Sequence, residues 1–162
     1  MLWTVTPSPI GELALAVDDV GLCRIRFSPH HVAADVTAGG APACLGAAVD
    51  QVTAYFAGDL TEFDLPLSVP GGSDFERAVW AAMRDIPYGK MRTYGEIAAE
   101  TGDPSAARAV GVACNRNPLP LVVPCHRVVG AGGKLVGFGG GLPRKRFLLE
   151  LESRVAMQRA WT

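Results

Sequence analysis

Three prolines, Pro118, Pro120 and Pro124, interrupt an apolar run from Leu119 to Val123, and no other stretch so restricts what the chain can become. A proline ring fixes φ and removes a backbone donor, so this run cannot take its place inside a regular sheet. It reads as extended, irregular and held against something. Cys125 closes the run with His126 directly after it, followed by Arg127 and Val128. In an extended backbone the two side chains diverge, and only a turn brings thiol and imidazole together.

The rest of the chain divides into two parts. Leu13, Leu15 and Val17 alternate with smaller or polar neighbours, Asp18 to Gly21 supply a turn, and Cys23, Ile25 and Phe27 alternate with Arg24 and Arg26. Cys23 is thereby a core residue. Leu45, Val49, Val52 and Phe56 follow at helical spacing, and Phe63, Leu65, Leu67 and Val69 alternate again. Residues 28–42 read as a loop. The boundaries expected are an N-terminal sheet and helix over 1–69, a linker over 70–74, and a second domain over 75–162.

Helix signals dominate the second domain. Ser73 with Glu76, and Thr93 with Glu96, are capping boxes, and Phe75, Val79, Met83 and Ile86 form one helical face. Asp103 with Pro104 is expected to open a third helix reaching about Asn115. Two short helices around a Gly-containing turn make a helix-turn-helix candidate, with Arg108 projecting among Ala106, Ala107 and Ala109. A last helix starts near Pro143, with Leu142, Phe147, Leu148 and Leu151 inward. The fold class expected is α/β (α+β), a small sheet-plus-helix domain followed by a mainly helical one.

Charge follows the same division. Residues 1–75 carry two bases against nine acids, whereas residues 76–162 carry thirteen against seven. The second part is therefore the one suited to a polyanion. No stretch is long and apolar enough to span a membrane, and no signal-peptide pattern opens the chain. Cys23, Cys44, Cys114 and Cys125 form no disulfide framework, which fits a reduced, cytoplasmic protein. His30 and His31 with Cys23 and Cys44 match no metal-ligand spacing, so no metal and no cofactor is expected.

Pro124 to Val128 resembles the active-site signature of the O6-alkylguanine-DNA alkyltransferases. The likeness runs from about Phe75 to Glu152, through Tyr94-Gly95-Glu96-Ile97-Ala98, Ala106 to Gly111, Asn117-Pro118 and Gly139 to Leu142. The N-terminal third is similar mainly through Ser8-Pro9-Ile10-Gly11 and the hairpin after it. The resemblance implies transfer of an alkyl group from O6-alkylguanine, and also O4-alkylthymine, to Cys125. Sulfur is the soft nucleophile such an attack at carbon needs, a histidine can take its proton, and an acid can orient the histidine. Seven acids in the second part could serve. The resemblance selects Glu152, with Glu150 as the alternative.

The family also implies the remaining roles. Tyr94 would help turn the nucleotide out of the stack and protonate the departing guanine, while Arg108 would enter from the minor groove and fill the gap. Asn117 would tie the helix-turn-helix to the cysteine segment, with Ala106, Ala107 and Arg127 also facing DNA. Lys145 matches a family lysine near the pocket. Cys114, Pro120, Val128, Phe138 and Gly139 would line the base pocket, with carbonyls of Cys125 and Val128 accepting from the guanine amine. The Gly139 amide would face O6. Val136 and Gly137 are expected to bear on alkyl size. Phe138 stands where several members have tyrosine, and Gly139 where some have serine. The partner implied is double-stranded DNA bound through its minor groove by a monomer, with clustering along DNA conceivable. A non-catalytic lesion-sensing or regulatory DNA-binding protein is the alternative, and a thiol hydrolase or peroxidase a third.

Overall fold

Antiparallel pairing of three short strands begins the chain: β1 (Leu2–Thr6), β2 (Leu13–Val17) and β3 (Leu22–Phe27), in that spatial order. The structure, a computed structural model, describes residues 1–27 and 43–161. His30, His31 and the expected loop over 28–42 lie outside the described residues. Two compact units result, Met1–Pro70 and Gly71–Thr162.

In the first unit β2 is central, and all five of its residues are buried. Alternation still sorts its side chains. Ala14 and Ala16 share one face with Trp3 and Cys23, small residues making room for the indole. Leu13, Leu15 and Val17 share the other. Helix α1 (Ala43–Phe56) packs against all three strands and buries Leu45, Ala48, Val52 and Tyr55. Its inward stripe thus passes through Ala48 and Tyr55, not Val49 and Phe56 as the spacing suggested. Tyr55 instead stacks on Phe63, with ring centroids 5.5 Å apart.

The alternation from Phe63 to Val69 does not become a strand. Only Leu67 bridges, in parallel to Leu22. The Gln51 amide takes the backbone of Asp64, accepting from its N–H and donating to its carbonyl at 2.9 Å each, so a side chain satisfies what a ladder would have satisfied. Gly21 sits where this segment crosses the β2–β3 turn, and a Cβ there would lie 2.2 Å from the Pro66 carbonyl oxygen.

The second unit starts with α2 (Asp74–Arg84) and continues through β4 (Arg92–Thr93) into α3 (Tyr94–Glu100). Both capping boxes form, Ser73 with Glu76 and Thr93 with Glu96. Helix α4 (Ala107–Asn115) starts later than Asp103 and Pro104 suggested. The Asp103 carboxylate accepts from the Ser105 N–H and hydroxyl, closing a turn between the helices, and Ala106 caps α4 without a side-chain bond. The Trp80 indole donates to the Ala113 carbonyl at 2.8 Å, fastening α2 to α4.

The proline-rich run is turned, not extended. Val123 N–H donates to the Leu119 carbonyl at 2.8 Å, and the buried Leu121 sits at φ 76°, a region a branched residue rarely occupies. A 3-10 turn, Cys125–Arg127, follows, and then β5 (Val128–Val129) pairs in parallel with β4. Helix α5 (Leu142–Ala160) closes the unit. Its inward stripe is Lys145, Leu148, Leu151, Glu152 and Val155, whereas Leu142, expected inside, is exposed.

Replacing Gly21 with alanine should destabilise the first unit by about 1–3 kcal/mol, the usual range for overpacking. The obstructing atom is backbone and cannot rotate away. Urea unfolding of Gly21→Ala against the parent protein measures it, with Gly46→Ala, which meets nothing within 4 Å, as the control.

Candidate active site

Two polar residues on the buried stripe of α5 organise the site. A charge on such a stripe is costly unless partnered, so each must be accounted for. Glu152 is 1% exposed. One of its oxygens, Oε2, lies 2.7 Å from His126 Nε2, and the Arg127 guanidinium grips both, Nε to Oε1 at 2.8 Å and Nη2 to Oε2 at 3.0 Å. The Gly89 N–H adds a longer bond to Oε1 at 3.3 Å. Gly89 holds φ +77°, and a Cβ there would come 3.0 Å from that of Ala156, so glycine lets this turn approach α5.

Burial alone would raise the Glu152 carboxyl, but the bonds from His126 and Arg127 outweigh it and hold it well below the usual range. An ionised carboxylate only accepts, so His126 carries its proton on Nε2. Nδ1 is then the accepting nitrogen, and it is buried with no hydrogen-bond partner. Desolvation pushes the imidazole's own pKa down, against the pull of Glu152. His126 is therefore a neutral base with one open lone pair.

Lys145 is the second polar residue, fully buried. Its ammonium donates to the carbonyls of Val128 at 2.6 Å, Gly137 at 3.1 Å and Val136 at 3.2 Å, and lies 3.5 Å from the Tyr94 hydroxyl. Desolvation lowers its pKa, and the nearby thiols oppose that. A lysine in a run of basic residues reads as solvated, yet this one braces the segment after the cysteine.

The Cys125 thiol is buried and pushed up to about 11 by desolvation, with a hydrogen bond from the Asn117 side chain and the Lys145 charge pulling the other way. The thiolate is thus not stored at rest, and a base must take the proton when reaction begins. Asn117 also donates to the Val123 carbonyl at 2.7 Å and accepts from the Leu119 N–H at 2.9 Å, joining the end of α4 to the turn before Cys125. Burial drives the Tyr94 phenol up to about 12, so it stays a donor, and in this structure it donates to the Val136 carbonyl at 2.9 Å.

Tyr94 and Arg108 line one groove of about 450 Å³ together with Ala107, Gly111, Val112 and Asn115 of α4, and Val136 and Gly137. Val112 and Asn115 escaped the sequence reading although they stand four and seven residues after Arg108, the spacing of one helical face. Gly111 lies beside the Tyr94 ring, and a Cβ there would meet it in ordinary contact at 3.9 Å. Ala106 caps the helix beside them. Of the residues expected around the base, Cys114, Pro120 and Val128 are buried, Phe138 is half-buried and Gly139 is exposed. Cys114 directs its thiol to Met83 sulfur at 3.5 Å, and burial raises it to about 12.

Arg127 is a correction. Expected to face nucleic acid, it is buried, and besides Glu152 it donates to the Ile86 carbonyl at 2.7 Å and lies over the Tyr88 ring. Its hydrogen bonds to Glu152 and Ile86 turn the guanidinium inward, and burial keeps it from the surface where a phosphate would lie. The sign of its charge was legible, but its burial was not. Among the described residues no group of three or more His, Cys, Asp or Glu side chains is placed to hold a metal.

Comparison with known proteins gives a consistent picture. The family model for the 6-O-methylguanine DNA methyltransferase DNA binding domain matches residues 74–154, and that for the ribonuclease-like domain of the same proteins matches residues 1–69. The methylated-DNA–protein-cysteine methyltransferase of Mycolicibacterium paratuberculosis is 53% identical over 91% of this chain and 89% of its own length. That of Methanosarcina acetivorans is 47% identical over 94% and 98%. The crystal structure of Mycobacterium tuberculosis OGT in complex with DNA superposes with a TM-score of 0.86 at 49% identity, covering 96% of this chain and 94% of that one.

The buried carboxylate should make the protein acid-sensitive. Because Glu152 titrates lower folded than unfolded, its contribution is complete above the unfolded carboxylate value, about 4.3, and is lost as pH falls below it. His126, also lowered, adds a loss that begins as pH drops through about 6.5, where only the unfolded chain takes the proton. Glu152→Gln should cost about 3–5 kcal/mol by stranding Arg127, and flatten the dependence below about pH 5. Denaturant unfolding of both proteins across pH 4–8 checks both effects.

Proposed function

We propose, for a chain that belongs to the 6-O-methylguanine DNA methyltransferase family, direct repair of DNA by irreversible transfer of a methyl or other alkyl group from O6-alkylguanine to its own Cys125. The chain binds DNA, and the lesion-bearing duplex is met through the groove holding Tyr94 and Arg108. The observation that carries the reading is the buried relay ending at an open nitrogen, Glu152 to His126 Nε2 with Nδ1 left to accept, in the residue next to a buried thiol.

The chemistry follows from those groups. Nδ1 takes the thiol proton, directly or through water, and Glu152 compensates the imidazolium. Sulfur attacks the alkyl carbon, the S–C bond forms, the C–O6 bond breaks, and its electron pair stays on guanine. The departing base requires one proton, and Tyr94, held as a neutral phenol, is the donor at hand. Once Cys125 is alkylated, water cannot hydrolyse the thioether, so each molecule acts once.

A base inside the duplex cannot reach a buried thiol. The nucleotide must leave the stack, at a cost of a few kcal/mol that a planar cation in the gap offsets. Arg108 is exposed on α4 within the groove, with the small Ala107 and Gly111 beside it allowing close approach from the minor-groove side. One polypeptide supplies every side chain named, which supports action as a monomer. All four cysteines are free, which supports a reducing compartment, the cytoplasm.

Intact-mass analysis after mixing with duplex DNA carrying one O6-methylguanine should show a gain of one methyl, mapped to Cys125 and stopping at one equivalent. Cys125→Ala should bind the duplex and gain nothing; a methyl gained elsewhere in that variant would overturn the assignment. Binding by the parent protein without any mass gain would leave a lesion sensor.

Arg108→Ala should slow repair of duplex DNA by about 100-fold or more, the scale of a few lost kcal/mol, yet leave reaction with the free alkylated base nearly unchanged. Single-turnover rates on the two substrates measure this, and equal losses would refute the role in extrusion.

A further inference from the structure

We propose that Arg127 is a positioning residue for alkyl transfer, keeping His126 in its proton-accepting form by holding both oxygens of Glu152. The proposal rests on the alkyl-transfer reading above, and concerns how that reaction's base is kept ready.

A histidine paired with one buried carboxylate and nothing else tends to become an ion pair, because the carboxylate's charge has no other partner. Here the charge is already claimed. Polar hydrogens besides the imidazole's converge on Glu152, among them Arg127 Nε and Nη2 at 2.8 and 3.0 Å, and the Gly89 amide at 3.3 Å. Arg127 is itself fixed by the Ile86 carbonyl at 2.7 Å and by the Tyr88 ring, 5.5 Å from its guanidinium carbon. The clamp therefore draws on three places in the chain: the turn after α2, the 3-10 turn and α5.

The charged and titratable groups around His126 can be named. Glu152 and Lys145 approach from α5, and Cys125 and Arg127 flank it on the 3-10 turn. Glu152 favours the imidazolium; burial, Arg127 and Lys145 disfavour it, burial most of all. Of the two cations only Arg127 touches the carboxylate, so it both removes the counter-charge and adds repulsion. The geometry has a chemical use. A thiol raised to about 11 gives up its proton only to a base that is empty when substrate arrives, and an imidazole already charged could not accept it.

The test is the pH–rate profile of methyl transfer in Arg127→Met and Arg127→Lys, beside an NMR titration of the imidazole nitrogens without DNA. The chain has three histidines, so His126 is assigned by one substitution. In the parent protein His126 should remain neutral with Nε2 protonated at pH 7. Arg127→Met should move both the acid limb of the rate and the His126 titration upward by about one pH unit or more, the scale for loss of a neighbouring charge. Arg127→Lys, keeping the charge but not the fork, should leave the limb near its original place while slowing the reaction.

An Arg127→Met limb that does not move while the rate falls at every pH would make Arg127 a structural brace and overturn the proposal. So would a His126 already charged at pH 7 in the parent protein, a result that does not depend on any variant folding. If the parent protein transfers no methyl, the functional reading fails instead, and the titration still decides the role of Arg127.

Discussion

One carboxylate holds the second unit's chemistry together. Glu152 is reached by the turn after α2 through Gly89, by the cysteine segment through His126 and Arg127, and it belongs to α5. A buried charge with three sources of hydrogen bonds cannot be satisfied by approximate placement, because each missing bond leaves an ion in a low-dielectric interior. The position of the His126 imidazole is thus a by-product of electrostatic necessity. Lys145, about two turns earlier on the same stripe, does the same for the carbonyls of Val128, Val136 and Gly137.

The two polar anchors also explain why the nucleophile can sit in an irregular segment. Three prolines forbid a ladder there, and Leu121 adopts a left-handed φ. Asn117 on one side and the Glu152 cluster on the other supply from side chains the bonds that secondary structure would have supplied. Irregular backbone is what lets the chain present a thiol, a base and a groove-lining tyrosine within one small unit.

The parts legible in the sequence were those governed by local rules. Capping boxes, the hairpin of β2 and β3 and the pair of short helices all rest on neighbours a few residues apart, and they formed. What could not be read was decided by distant partners. Phe63 to Val69 alternate like a strand but find only Leu22 and the Gln51 amide. Asp103 has the chemistry of a helix cap but closes a turn. Lys145 and Arg127 carry the charge of surface residues, and burial reassigns them because the carbonyls and the carboxylate that receive them come from elsewhere in the chain. Extending the stripe of Leu148, Leu151 and Val155 back by one turn would have reached Lys145, a signal that composition alone conceals.

Beta-strand β4 is two residues long and easily passed over, yet it sets a limit on how this architecture can vary. Arg92 and Thr93 pair with Val128 and Val129, so the residue that caps α3 and the residues following the cysteine lie on one ladder. Helices α3 and α4 are for that reason not a detachable module. Replacing α3 and α4 by another pair of helices would break that pairing unless the cysteine segment moved with them. The start of α3 and the backbone that follows the thiol are thereby set by one and the same ladder, so neither can shift alone.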